Sequence, residues 1–143
     1  MKTLLIFLAT LALDTDPKEL FKPGEVAFDG FDLVSYYQEG PVTGNATYAY
    51  EYQGITMHFS SEENLNLFKQ YPERYWPALD GWCAISLVYE VLKRPDFTIY
   101  KIQNNKLYFF EVRAFFNGLT HWDRDPVKNE ILARVHYKHL GGY

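Results

Sequence analysis

Two stretches of the chain show the alternation of side chains that is expected of β-strands. Over residues 48–59 tyrosines alternate with smaller or polar residues, and Gln53-Gly54 supplies a turn in the middle. Over residues 97–110 two apolar runs flank Asn104-Asn105, a pair that tolerates positive φ. The pattern therefore predicts two β-hairpins.

Helical periodicity and capping residues follow the first hairpin. Ser60 stands three residues before Glu63, which is the spacing of a capping box and predicts a helix to about Gln70. Glu73 to Trp76 then predicts a second short helix, which Pro77 ends. Upstream, Asp32 is placed as the N-cap of a short helix over residues 33–37.

Three further segments complete the expected elements. Trp82 to Leu92 is apolar and fits a buried helix or a buried strand, with helix favoured for its second half. Val112 to Leu119 is predicted to be helical. After Pro126, a four-residue spacing of apolar side chains predicts a closing helix to about Leu140 with an apolar face of Val127, Ile131 and Val135. No internal repeat is apparent in the sequence.

The order of these segments divides the chain into three parts. Residues 1–13 combine Lys2 with a short apolar run and predict a signal peptide, and hence export to a periplasmic or extracellular compartment. Residues 14–25 are polar and predict a tether, and residues 26–143 form one small α+β domain. After cleavage, no segment remains that is apolar enough to stay in a membrane.

Composition narrows the classes of function. The formal net charge is -4 and no Lys/Arg run occurs, so nucleic acid is not an expected partner. The phosphate-binding, dinucleotide and hydrolase motifs are missing from the sequence, which favours a binding module over an enzyme. With one cysteine, Cys83, the chain cannot form an internal disulfide.

Several short motifs resemble the YHS domain family, and in particular the exported YHS-domain proteins of bacteria. The resemblance covers most of the chain after Val26 and implies a small α+β fold of treble-clef-like type, with two hairpins packed on short helices and a C-terminal helix. The motifs that carry it are Phe59-Ser60-Ser61-Glu62-Glu63-Asn64, Tyr71-Pro72-Glu73-Arg74-Tyr75, Asp29 to Tyr37, Gly81-Trp82-Cys83-Ala84, Asn105 to Tyr108 and His121-Trp122-Asp123-Arg124-Asp125.

The resemblance also implies an association with transition metals. In metal-associated members of the wider group, cysteines occupy positions that here hold Ser60, Ser61 and Asn64. Hydroxyl and amide groups are poor ligands for zinc or copper, so this loop does not supply a closed four-ligand site.

Cys83 is the remaining soft ligand, and with His58 or His121 it could hold copper or zinc. A small buried core residue is the structural interpretation of the same cysteine. A thiol-dependent enzyme would instead need Cys83 to be accessible and to have a lowered pKa.

Aromatic residues provide the alternative to metal binding. In that interpretation the protein is a small-ligand or protein-interaction module, and exposed rings line an apolar groove without metal. The rings considered for this groove are Tyr36, Tyr37, Tyr48, Tyr50, Trp76 and Trp82.

Overall fold

A computed structural model of the chain describes residues 17–142. Within that range the fold is α+β, with short helices packed against antiparallel hairpins. The strands are β1 (Asn45–Tyr52), β2 (Ile55–Phe59), β3 (Asp96–Gln103), β4 (Lys106–Phe110), β5 (Val112–Arg113) and β6 (Phe116–Asn117). The α-helices are α1 (Glu62–Gln70), α2 (Pro72–Tyr75), α3 (Ala84–Val88), α4 (Gly118–Trp122) and α5 (Pro126–His139). Short 3-10 segments lie at Pro17–Leu20, Ala27–Gly30, Ser35–Tyr37 and Ala78–Gly81.

Both predicted hairpins are confirmed. β1 pairs with β2, and β3 pairs with β4, each pair antiparallel. Gln53 and Gly54 have φ of 51° and 77°, and Asn104 and Asn105 have φ of 50° and 60°. Left-handed backbone at both central residues gives a two-residue turn whose twist matches that of the strands.

The segment from Val112 to Leu119 is not the predicted helix. It forms the third hairpin, β5 and β6, and α4 begins only at Gly118. Asn117 ends the hairpin and caps α4, because its side-chain oxygen accepts from Leu119 N at 3.0 Å and Thr120 N at 3.2 Å. An N-cap residue lies outside its own helix, so the helix cannot extend back through Asn117.

The apolar stretch Trp82 to Leu92 contains a helix, but in its first half. α3 ends at Val88, and Glu90 has a left-handed φ of 60°, which no α-helix accommodates. The preference for helix in the second half of the stretch was therefore wrong.

The closing helix is confirmed as α5, but its predicted apolar face is wrong. Val127, Ile131 and Val135 are exposed by 69%, 59% and 44%. Ala133 and Tyr137 are the buried residues of the helix, and they lie on another face. One large ring therefore anchors the helix where the sequence pattern suggested three aliphatic side chains.

The hydrophobic core reaches further towards the N-terminus than residue 26. Leu20 and Phe21, which the sequence placed in the polar tether, are buried. Arg94 holds this segment by donating to Leu20 O at 3.0 Å and to Glu25 Oε1 at 2.6 Å. The predicted signal peptide, residues 1–13, lies outside the described residues. No helix within residues 17–142 is long and apolar enough to cross a membrane.

The described chain contains an internal repeat, which the sequence reasoning missed. Residues 27–59 form the first repeat and residues 78–110 the second. Ala78–Gly81, β3 and β4 begin 51 residues after Ala27–Gly30, β1 and β2 respectively. Ala27–Gly30 and Ala78–Gly81 open the repeats with nearly the same backbone: Phe28 has φ 58° and ψ 33°, and Leu79 has φ 56° and ψ 29°.

The hairpins of the two repeats share local details. The register of the strand pair shifts between Asn45 and Ala49 in the first repeat, and between Asp96 and Tyr100 in the second. The side chain of Asn45 accepts from Thr47 N at 2.8 Å, and Asp96 accepts from Thr98 N at the same distance. The expectation that the chain holds no repeat is therefore wrong.

The main core lies where the two repeats meet. Phe28 and Tyr36 of the first repeat contact Phe109 of the second, with ring centroids 6.1 and 5.3 Å away. The Tyr36 hydroxyl also donates to Phe97 O at 2.7 Å. The Tyr36 and Phe109 rings meet edge-on, a geometry that stabilises the contact beyond simple burial.

Candidate functional site

The first repeat contains a buried carboxylate surrounded by neutral donors. Asp32 is 0% exposed. One oxygen accepts from Val34 N and Ser35 N at 2.8 and 3.3 Å. The other accepts from Ser60 N at 2.9 Å, Ser60 Oγ at 2.6 Å and Asn64 Nδ2 at 2.7 Å. We call this arrangement the Asp32 network.

The network explains which serine caps α1. Ser61, not Ser60, is the N-cap, and its hydroxyl accepts from Asn64 N at 3.1 Å. The prediction of Ser60 as the cap was wrong by one residue, because Ser60 donates its hydroxyl to Asp32 instead. Asp32 does accept from the first backbone N–H groups of the turn that follows it, as predicted for a capping residue.

The positions where metal-associated members carry cysteines do not fit a metal centre here. Ser60 and Asn64 are committed to Asp32, and Ser61 to the start of α1. Among residues 17–142, no three His, Cys, Asp or Glu side chains form a group that could hold a metal ion. Neutral oxygen and nitrogen donors facing one carboxylate form a hydrogen-bond network, not a thiolate site.

Cys83 is buried in the second repeat at 0% exposure. Its sulfur accepts from Glu111 N at 3.1 Å. Burial raises the pKa of the Cys83 thiol, although hydrogen bonds with Ser86 and Glu111 act in the opposite direction. A thiol that is buried and protonated lacks the accessible thiolate that catalysis would need.

A cleft of about 260 Å³ opens beside Cys83, between α3 and the third hairpin. Apolar and charged side chains share its lining, which consists of Ile85, Ser86, Tyr89, Val91, Lys93, Glu111, Arg113, Phe116 and His121. The Glu111 side chain is 13% exposed and accepts from Ser86 Oγ at 2.9 Å. We call this the Glu111 cleft.

Two cations face the Glu111 carboxylate across the cleft. Lys93 Nζ is 3.7 Å from Oε1, and Arg113 Nε is 3.6 Å from Oε2. Phe116 stacks on the His121 ring with centroids 4.5 Å apart, and the Arg113 guanidinium lies 5.1 Å from the Phe116 centroid. The rim thus combines both signs of charge with an aromatic surface.

The three predicted metal ligands have different locations. His121 lines the Glu111 cleft, and Cys83 lies behind the backbone of Glu111. His58 is in β2, where it pairs with Ala49 in the first hairpin. The three do not form one group, and which of them bind metal stays a prediction.

The Glu111 cleft is the counterpart of the Asp32 network in the second repeat. Cys83 takes the place of Asp32, and Glu111 that of Ser60: Ser60 N donates to Asp32 at 2.9 Å, and Glu111 N donates to Cys83 at 3.1 Å. With the same spacing, the lining residues Ser86 and Tyr89 correspond to Ser35 and Gln38 of the first repeat.

The helix after each hairpin differs between the repeats. Phe68 of α1 packs on Phe59 with centroids 5.2 Å apart, and Trp122 of α4 packs on Phe110, the counterpart of Phe59, at 5.4 Å. One turn before Phe68 stands Asn64, whose amide fills the Asp32 network. One turn before Trp122 stands Gly118, which has no side chain to place beside Glu111.

Comparison with known families bears on the first repeat. The family model described as YHS domain matches residues 34–78, from the turn after Asp32 to the start of the second repeat. The protein carries a YHS domain. No curated protein and no solved structure matches the chain.

The family match includes Ser60 and Asn64 of the Asp32 network but none of the residues that line the Glu111 cleft. The YHS match includes Ser60, Ser61 and Asn64, where this YHS domain has no thiolate, and it also includes His58. The residues that line the Glu111 cleft lie after the match. The family implies an association with metal for this segment of the chain. Here, however, the ligand positions Ser60 and Asn64 already make hydrogen bonds to Asp32.

Two of the six rings proposed for the aromatic groove are buried and cannot line it. Tyr36 and Trp82 are buried, at 3% and 9% exposure. The rings of the Glu111 cleft are Tyr89 and Phe116, which the sequence reasoning missed. The repeat is a signal that could have found Tyr89. Aligning Ala27-Phe28-Asp29-Gly30 with Ala78-Leu79-Asp80-Gly81 places Tyr89 opposite Gln38, which contacts Asn64 in the first repeat.

Proposed function

We propose that this YHS-domain protein is an exported, non-catalytic binding module that takes a small ligand in the Glu111 cleft. The observation that carries the proposal is the combination of an apolar wall and a half-buried charged rim in one concave site. Ligand sites are usually concave and apolar, with a few converging polar groups that orient the ligand.

The size and shape of the cleft favour a compact ligand. A volume of about 260 Å³ lies just below the range of roughly 300–1,000 Å³ typical of sites for drug-sized molecules. Tyr89 lines the cleft and is 68% exposed, so its ring can cover an apolar body lying against Ile85 and Phe116. Binding in place of catalysis is supported by the burial and the raised pKa of Cys83.

Nuclear magnetic resonance of the labelled protein tests the proposal. Benzyl alcohol, benzamide and benzoate are added in turn, and at least one should shift the amide signals of Ile85, Tyr89 and Glu111. Tyr89→Ala should weaken binding several-fold, because it removes part of the apolar wall. Tyr71→Ala is the matched control, since Tyr71 is also an exposed tyrosine, at 47%, but lies at the α1–α2 junction. No perturbation at the cleft by any probe would refute the proposal.

Copper or zinc binding is the competing proposal, through Cys83 with His58 or His121. Its support is that Cys83 contacts the backbone of Glu111 and that His121 lines the same cleft as Glu111. Titration of the purified protein with Cu(I) or Zn(II) tests it. Stoichiometric binding that is lost in Cys83→Ser would establish a metal role, and equal binding by both proteins would remove Cys83 from any such site.

Export is proposed from residues 1–13 alone. Expression of the full chain in a bacterium, followed by fractionation and N-terminal sequencing, tests it. The mature protein should lie outside the cytoplasm and lack the apolar segment. Recovery of the intact N-terminus from the cytoplasm would contradict export without bearing on the Glu111 cleft.

A further inference from the structure

The first repeat shows what the space in the Glu111 cleft can hold. There the Asn64 side chain inserts between the turn and the hairpin. Its amide nitrogen donates to Asp32 Oδ2 at 2.7 Å and lies 3.4 Å from Ser60 Oγ. Its carbonyl oxygen accepts from Gln38 Nε2 at 3.1 Å. Both ends of one primary carboxamide are therefore used.

In the second repeat the chain cannot supply such a group from the equivalent helix position. A Cβ built on Gly118 would lie 2.8 Å from Ile85 Cγ2 and 2.9 Å from Glu111 O. Contacts that short exclude a side chain without movement of the backbone, which fixes glycine at this position. The helix therefore supplies no group in the place of the Asn64 amide.

The Glu111 carboxylate retains capacity to accept hydrogen bonds. Asp32 accepts five, whereas Glu111 accepts one from the Ser86 hydroxyl. Lys93 and Arg113 approach only to 3.7 and 3.6 Å, beyond hydrogen-bond distance. An ionised carboxylate has about four lone-pair positions, so a further N–H donor can bind.

We infer that the polar head of the ligand is a primary carboxamide on a compact aromatic body. This inference rests on the proposed function. The ligand's NH₂ donates to the Glu111 carboxylate, which stands where the first repeat has Ser60 beside the Asn64 amide, and its carbonyl oxygen accepts from Arg113 or Lys93. The ring lies against Ile85 and Phe116.

The mixed charge of the rim selects a neutral head. A carboxylate head would approach Glu111, a like charge of low exposure. An ammonium head would approach Lys93 and Arg113. A carboxamide presents a donor to the anion and an acceptor to the cations, and so satisfies both without a net charge.

Titration of the wild-type protein with three probes of similar size tests the head group. Benzamide, benzoate and benzylamine share the ring and differ in the head. Benzamide should bind at least about tenfold more tightly than either charged probe, the difference expected from a hydrogen bond to a charged group. The comparison needs no variant and does not depend on how a substitution folds.

A pair of variants then locates the contact. Glu111→Gln should reduce benzamide affinity by several-fold, while Glu90→Gln, at a neighbouring exposed carboxylate, should leave it unchanged. Benzoate binding as tightly as benzamide, or benzamide affinity equal in Glu111→Gln and wild type, would overturn the carboxamide inference and leave the cleft as a binding site. Failure of benzyl alcohol as well as all three of these probes to shift cleft signals would instead refute the proposed function.

Discussion

At the scale of single residues, Asp32 is the side chain whose surroundings are most demanding. No ion pair within residues 17–142 neutralises it, and it is fully buried. A buried charge is costly unless hydrogen bonds replace the lost water, and here three backbone N–H groups, one hydroxyl and one amide do so. The Asp32 network therefore ties the turn after Ala27–Gly30 to the start of α1.

Asp32→Ala should lower the free energy of unfolding by about 3 kcal/mol or more, because the substitution leaves several buried donors without an acceptor. Urea denaturation at neutral pH measures the loss. Glu39→Ala is the control, since Glu39 is exposed in the adjacent loop and should change stability by less than about 0.5 kcal/mol. A loss below about 1 kcal/mol in Asp32→Ala would show that the network contributes little.

At the scale of secondary-structure elements, predictions from the sequence were correct where the interactions that determine an element are local in the chain. The two long hairpins could be predicted, since alternation and turn residues lie within a dozen positions of each other. The third hairpin could not be predicted. It is closed by a hydrogen bond from Gly118 N to Glu111 O at 2.9 Å, and the apolar residues Phe115 and Phe116 give no sign of that bond in the sequence. The face of α5 was misjudged because Tyr137 anchors it through Asp80, a residue far away in the chain.

The repeat supplies a test of the hairpin turns. Asn105→Gly gives the second hairpin the glycine that Gly54 provides in the first, at a position where φ is 60°. The substitution should raise the free energy of unfolding by about 0.5–1 kcal/mol, because glycine adopts left-handed backbone without the steric cost of a Cβ. Thermal or urea denaturation measures the change.

The reciprocal variant completes that test. Gly54→Ala should destabilise the protein by about 1 kcal/mol, since it places a Cβ at φ 77°. Opposite signs for Asn105→Gly and Gly54→Ala are the expected result. Destabilisation by both would mean that the Asn105 side chain makes a contribution larger than the backbone term.

At the scale of the whole molecule, the candidate site depends on the arrangement of the repeats. Ser86, Glu111 and His121 come from α3, the end of the second hairpin and α4, and their proximity follows from tertiary packing. Sequence alone named Cys83 and His121 but assigned them to a metal. It could not show that Gly118 stands where the first repeat has Asn64, because that requires two distant segments to be superimposed.

Burial of several protonated groups in the core makes a prediction about alkaline pH. Burial raises the pKa of the Cys83 thiol and of the Tyr36 phenol, and it raises the pKa of Tyr37 and Tyr108 to about 12. In the unfolded chain these groups titrate near their ordinary values of about 8.5 and 10. Above those values the unfolded state binds fewer protons than the folded state, so the free energy of unfolding falls as pH rises.

Urea denaturation between pH 7 and 11.5 measures this dependence, with a plateau expected below about pH 8 and a decline that steepens above pH 10. Each group contributes a slope of up to about 1.4 kcal/mol per pH unit. Tyr36→Phe removes one such group and the hydrogen bond to Phe97 O, so its stability at pH 7 should be lower by about 1 kcal/mol. Its decline above pH 10 should nevertheless be shallower than that of the wild type. Parallel curves for the two proteins would show that the Tyr36 phenol ionises as readily in the folded state as in the unfolded one, and that the contact between the repeats is open to water.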